Sequence, residues 1–126
     1  MKKTVNLQGS RDVMLRQYVK LINPMMGLRN RELDILAKII KYYLQFEDIK
    51  SDDLRWKMVF DYDTKFKIMD ELKMGPSTFN NSLTSFRQKG ILKNNQLVKN
   101  IIPIFSESSF DLIYSFKITD GTEISN

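Results

Sequence analysis

Residues 63–92 read DTKFKIMDELKMGPSTFNNSLTSFRQKGIL. Over residues 64–72, Phe66, Ile68, Met69 and Leu72 recur at helical spacing, which predicts a short amphipathic helix. Lys73-Met74-Gly75-Pro76 then reads as a tight turn. A second helix is expected from Ser77, whose hydroxyl is suited to take a free N–H of the first turn. Its expected end is just before Gly90, which can adopt the left-handed terminal conformation. Two helices joined by a short glycine-containing turn make a helix-turn-helix.

After Gly90 the texture of the chain changes. Ile91-Leu92-Lys93, the turn pair Asn94-Asn95 and Gln96-Leu97-Val98 together predict a β-hairpin. Residues 100–105 read as extended, with Pro103 pointing to an edge position. Over 110–118, Phe110, Leu112, Tyr114, Phe116 and Ile118 alternate with polar residues, the pattern of a half-buried strand.

Upstream, residues 1–9 read as a polar arm in which Thr4, Val5 and Leu7 suit an edge strand. Ser10 is expected to cap a helix over 11–22, with Val13, Met14, Tyr18, Val19 and Ile22 as its apolar set. Asn23-Pro24 should end it, and Met25 and Met26 are expected to pack on the core. A long helix is predicted over 30–46. Leu33, Leu36, Ala37, Ile40 and Leu44 form one apolar stripe, and Ile35, Ile39, Tyr43 and Phe46 a second, so this helix should pack on more than one side. Tyr42 and Tyr43 are read as core aromatics with wet hydroxyls. Ser51-Asp52-Asp53 opens a further helix with Leu54, Met58, Val59 and Trp56 as its apolar face. Asp63 is expected to cap the helix at 64, with Asp61 a surface charge, and the pair Asp70/Glu71 a solvated face.

Composition narrows the chemistry. The 126 residues allow one domain with a real core. The chain has no cysteine and no histidine. Disulfides and thiolate metal sites are excluded, and the commonest general base and the strongest nucleophile are missing together. Asp61 and Asp63 lack the third ligand and the glycine of a calcium loop. The reading is therefore of a non-enzymatic protein without cofactor or metal. No apolar run approaches the roughly 20 residues of a membrane span. Met1-Lys2-Lys3 is followed by no apolar signal-peptide core, so a cytoplasmic protein is expected. The net charge is +5, compatible with a polyanionic partner. Residues 1–50 carry ten Lys/Arg against five Asp/Glu, residues 51–90 seven against six, and residues 91–126 three against four. The excess is therefore expected in the N-terminal portion and not in the helix-turn-helix.

On a helical wheel of the second helix, Phe79, Leu83 and Phe86 face the core and Thr78, Asn81, Thr84, Ser85 and Gln88 face outward. Asn80 and Arg87 flank one edge, Ser82 and Lys89 the other. Short polar side chains of this kind read base edges and contact phosphates, and a helix presenting them suits the major groove.

The words IMDELKMGPSTFNNSLTSFRQKGIL resemble the winged helix-turn-helix family. Met74, Ser77, Phe79, Leu83, Phe86, Lys89, Gly90, Ile91 and Leu92 match that family's apolar anchors, cap and exit into the wing. The resemblance implies an α+β, mainly α winged helix-turn-helix of four to five helices with a small antiparallel C-terminal sheet. It implies that Thr78, Asn81, Ser82 and Ser85 sit in the groove, with Lys93, Lys99 and the Asn94-Asn95 turn as the wing. The DNA-binding set so expected is Ser77, Thr78, Asn80, Asn81, Ser82, Ser85, Arg87, Lys89, Lys93 and Lys99, with Arg11, Arg16, Lys20, Arg29 and Arg31 as an electrostatic footprint. The chain divides into an N-terminal arm and helix over 1–27, the winged-helix domain over 28–118 and a tail over 119–126. The partner expected is duplex DNA, in transcriptional regulation or replication, with a homodimer or larger assembly through the N-terminal helices. The overall texture also resembles small winged-helix proteins of tailed bacteriophages of gut bacteria, which implies the alternative of a virion or assembly component working by protein contacts.

Overall fold

The computed structural model describes residues 10–105, 110 and 111. Residues 10–102 form a helical body: α1 (Arg11–Ile22), α2 (Asn30–Gln45), α3 (Asp52–Val59), α4 (Tyr62–Leu72), α5 (Pro76–Gln88) and a hairpin of β1 (Leu92–Lys93) and β2 (Gln96–Leu97). The described residues are thus mainly helical with little antiparallel sheet. Beyond the body, β3 (Ile104–Phe105) pairs antiparallel with β4 (Phe110–Asp111), placing Ile104 opposite Asp111 and Phe105 opposite Phe110. The expected arm over 1–9, the remainder of the strand expected over 110–118 and the tail lie outside the described residues.

The wide apolar surface of α2 makes it the centre of the core. Leu33, Ile35, Leu36, Ala37, Ile39, Ile40 and Tyr42 are all buried, and α1, α3, α4 and α5 each pack on it. Helix α1 starts at Ser10 as expected, with the Ser10 hydroxyl accepting from the Val13 N–H. It buries Leu15, Tyr18, Val19 and Ile22. Val13, in contrast, is exposed, because α2 lies against the Leu15–Val19–Ile22 side. After α1 the chain makes one 3-10 turn, Asn23–Met25. The Asn23 side chain clamps it, accepting from the Leu28 N–H at 2.7 Å and donating to the Leu28 carbonyl at 3.0 Å. This projects Met25 into solvent rather than onto the core.

Ser51 caps α3, accepting from the Leu54 N–H. The helix has only two buried residues, Trp56 and Val59. Leu54 and Met58, expected on the same face, are exposed. Trp56 decides the orientation: its ring stacks on Tyr43 at 4.1 Å between centroids and on Phe60 at 6.2 Å. The buried Thr64 ties the next helix back, its hydroxyl donating to the Met58 carbonyl at 2.9 Å.

The two helices expected on either side of the 73–76 turn differ in detail from expectation at both caps. Helix α4 begins at Tyr62, and the residue that caps it is Asp61, whose carboxylate accepts from the Asp63 N–H. Helix α5 begins at Pro76, not Ser77, with Gly75 as its N-cap. Proline at the first helical position loses an N–H that has no partner there anyway, so the helix gains a residue ahead of the serine. Lys73, with φ of 54°, takes the left-handed position that ends α4. The Met74 N–H reaches back to the Met69 carbonyl and the Lys73 N–H to that of Asp70. Gly90 does the same for α5 at φ 75°, with Ile91 donating to Phe86 at 2.9 Å and Gly90 to Arg87 at 3.2 Å. Both ends are therefore closed by the paired hydrogen bonds of a Schellman motif.

Asn94 and Asn95 both have positive φ, 52° and 57°. That is the two-residue turn whose twist matches a hairpin. The register pairs Leu92 with Leu97 and Lys93 with Gln96, which buries both leucines and exposes Lys93. The segment expected to be extended over 100–105 instead makes a 3-10 turn, Lys99–Ile101, before β3.

Candidate nucleic-acid interface

Phe79, Leu83 and Phe86 anchor α5 and are almost wholly buried. Their burial turns Ser77, Thr78, Asn80, Asn81, Thr84, Arg87 and Gln88 outward, all exposed. The Thr84 hydroxyl donates to the Asn80 carbonyl at 3.1 Å. The side chains of Asn80 and Asn81 have no hydrogen-bond partner among the described residues.

Three of the expected site residues are engaged within the protein. Ser82 is buried, and its hydroxyl donates to the Thr78 carbonyl at 3.0 Å. Ser85 is half-buried, and its hydroxyl helps to hold the Glu32 pKa down. Lys89 donates to the Gly27 carbonyl at 2.7 Å, so its ammonium ties the end of α5 to the turn before α2. The cause is common to all three. The first turn of α2 lies along this edge of α5, and a cleft of about 290 Å³ between them is lined by Arg29, Arg31, Glu32, Thr78, Asn81 and Ser82.

Glu32 is the buried member of that edge, 3% exposed. It accepts from the Arg29 N–H at 2.9 Å. Burial alone would raise its pKa. The Arg29 N–H, the Ser85 hydroxyl and the charges of Lys89 and Arg29 outweigh that and hold it below the usual value. A carboxylate thus fills the N-terminal turn of α2 and fixes the flank of α5.

The N-terminal cations are mostly spent internally. Arg16 pairs with Asp34 at 2.6 Å. Lys38 and Lys41 both reach Asp12 at 3.3 Å and extend to Glu71 at 3.2 and 3.9 Å. The Tyr42 hydroxyl donates to Glu71 at 2.6 Å. Arg31 lies 4.0 Å from Asp34 and donates to the Leu72 carbonyl at 2.6 Å. Glu71, expected on a solvated face, is exposed and also joins α2 to α4. Of the expected electrostatic footprint, Arg11, Lys20, Arg29 and Arg31 are exposed and Arg16 is half-buried.

The charge that faces outward is elsewhere. Residues 72–106 hold Lys73, Arg87, Lys89, Lys93 and Lys99 and no acidic residue. The rest of the chain holds fifteen Lys/Arg and fifteen Asp/Glu, so the whole excess of +5 falls on the turn, α5 and the hairpin. All five side chains are exposed, and none forms an ion pair among the described residues. Sequence windows cut at residues 50 and 90 split this segment and dilute each half with neighbouring acids. A window laid on the motif itself finds it.

Among the described residues no group of three or more carboxylates is placed to hold a metal ion. No helix among them is long and apolar enough to cross a membrane. Compared with protein-family models, with curated proteins and with solved structures, the chain matches none.

Proposed function

We propose that the chain is a winged helix-turn-helix protein that binds duplex DNA, with α5 in the major groove and the β1–β2 hairpin as the wing. The observation that carries this is the acid-free segment 72–106, which holds the net charge of the chain beside an exposed face of short polar side chains. Phosphate contacts supply much of the affinity of such proteins. Arg87, Lys93 and Lys99 are exposed and make no ion pair among the described residues, so they can meet phosphates without breaking one. Asn80 and Asn81 have amides able to read adenine, and Thr78 and Thr84 can contact bases or backbone. Ser82, Ser85 and Lys89 act instead to hold α5 in place. The role that fits is transcriptional regulation or a replication-associated one.

Anisotropy of a labelled mixed-sequence duplex tests the reading. With about four phosphate contacts, raising salt from about 50 to 200 mM should weaken binding on the order of a hundredfold. Absence of binding at micromolar protein in the lower salt overturns it.

A second reading, a virion or assembly component using the same fold for protein contacts, is favoured by a separate observation. Tyr62, Phe66, Leu54 and Met58 are exposed apolar side chains on α3 and α4, away from the cationic segment in sequence. Co-purification of the chain with assembled particles, together with the duplex result above, separates the two.

A further inference from the structure

Leu54, Met58, Tyr62 and Phe66 recur every fourth residue and all are exposed. The most prominent are on α4, where Tyr62 is 74% and Phe66 55% exposed. Their rings stack on each other at 6.4 Å between centroids and 19° between planes. The half-buried Met69 continues the line toward a groove of about 380 Å³ that Phe66 shares with Lys73, Met74 and Pro76. Bare aromatic surface of this kind marks a contact face.

The charges beside the line identify its occupant. At about 100° per residue, Asp63 and Asp70 fall on one flank of Tyr62–Phe66–Met69, and Lys65 falls on the other. Lys67 lies farther round, behind the two acids. Thr64 and Ile68 are buried on the opposite side, which fixes this assignment. A partner of one charge sign would meet like charge along one flank. A second copy would not.

We propose that this face of α4 is a homodimer interface, in which α4 packs parallel to α4 of a second copy about a two-fold axis running along the helices. That operation lays Asp63 and Asp70 of one copy over Lys65 of the other, on both sides of an aromatic centre. The antiparallel arrangement sets acids against acids. The contact is isologous, as a closed pair requires, with aromatic residues at its core. It uses neither the N-terminal helices nor α5, and it does not depend on nucleic acid.

The test is sedimentation equilibrium of the full chain without DNA, at about 1 to 200 µM and low salt, where a small interface of this type is populated. The wild-type protein should approach the dimer mass. Tyr62→Ser/Phe66→Ser should sediment as a monomer with an unchanged circular dichroism spectrum, since neither side chain is in the core. Lys65→Glu alone and Asp63→Lys/Asp70→Lys alone should each be monomeric, and an equimolar mixture of the two should restore the dimer mass. A wild-type chain that stays monomeric throughout overturns the proposal. So does a dimer that survives the Tyr62/Phe66 substitutions, or a charge-swapped mixture that fails to associate.

Discussion

Arg31 Nη2 lies 2.6 Å from the Leu72 carbonyl oxygen, so a side chain from the first turn of α2 caps the last turn of α4. The two residues are 41 positions apart. The last carbonyls of a helix lack intrahelical partners, and a guanidinium there also meets the negative end of the helix dipole. The contact fixes the end of α4 immediately before the turn into α5. Charge-assisted hydrogen bonds contribute about 1.5–3 kcal/mol, and partial exposure of Arg31 reduces that. Arg31→Ala should therefore cost about 1 kcal/mol in urea unfolding. Arg31→Lys should recover only part of it, because an ammonium lacks the planar fork.

The left-handed residues on either side of α5 give a matched pair of predictions. Lys73 sits at φ 54° with a Cβ, at a cost of about 1 kcal/mol. Lys73→Gly should raise the urea midpoint by an equivalent of about 0.5–1 kcal/mol. Gly90 sits at φ 75°, and a Cβ built there meets nothing within 4 Å. Gly90→Ala should thus destabilise through backbone strain alone, by about 1 kcal/mol. Equal and opposite shifts would support a left-handed Schellman end on both helices; a neutral Lys73→Gly would rule out strain at the turn.

Acid should unfold the protein through the Asp12–Lys38–Glu71 network. Burial raises the Glu71 pKa, but the Tyr42 hydroxyl and Lys38 and Lys41 outweigh it and leave the value below the usual 4.5. Asp12 is lowered below 3.8 in the same way by Lys38 and Lys41, against the effect of burial. A depressed folded-state pKa gives stability that is present above the unfolded value and lost as pH falls through the folded one. Stability should accordingly decline below about pH 4.5, mainly through these carboxylates and Glu32. Glu71→Gln should be less stable than wild type at pH 7. It should lose less between pH 5 and pH 3, as read from urea midpoints across that range; a parallel decline would show that Glu71 takes no part in acid unfolding.

Legibility in the sequence varies with the range of the interaction. Ser10 and Ser51 announce their helices because a cap acts on an N–H three residues away. Gly90 and Asn94-Asn95 announce their turns because positive φ is a property of the residue itself. The spacing of Phe79, Leu83 and Phe86 marks the buried face of α5 for the same local reason. Ser77 misleads because Pro76, one residue earlier, is itself suited to the first helical position. Lys73 shows no sign, since lysine carries no preference for the left-handed region. Least legible are contacts between distant positions. Arg16 with Asp34 and Lys38 with Glu71 withdraw cations from the surface, and only packing of α1 and α4 on α2 reveals it. The N-terminal charge thus reads as a footprint when much of it is internal. Ser82 and Ser85 turn inward for a like reason: α2 lies against that edge, and a wheel of α5 alone cannot contain α2.

If the chain binds duplex DNA as proposed, the salt dependence of that binding should separate the cations that face outward from those that do not. Lys93 lies in β1 of the hairpin and Lys99 just after β2; both are exposed and form no ion pair among the described residues. If each neutralises one phosphate, Lys93→Ala/Lys99→Ala should lower the slope of log affinity against log salt by about 2 and weaken binding roughly tenfold or more at low salt. Arg16→Ala removes a cation already paired with Asp34 at 2.6 Å, so it should leave the slope unchanged even where it lowers the melting temperature. Thr78→Ala/Asn81→Ala should behave in a third way. The slope should be kept, while removal of a bidentate base contact reduces discrimination between sequences by about 1–3 kcal/mol. Competition titrations with two unrelated duplexes at several salt concentrations read all three. Equal slopes for the wild type and the Lys93/Lys99 variant would remove the hairpin from the interface. A slope change in Arg16→Ala would return the footprint to the N-terminal helices.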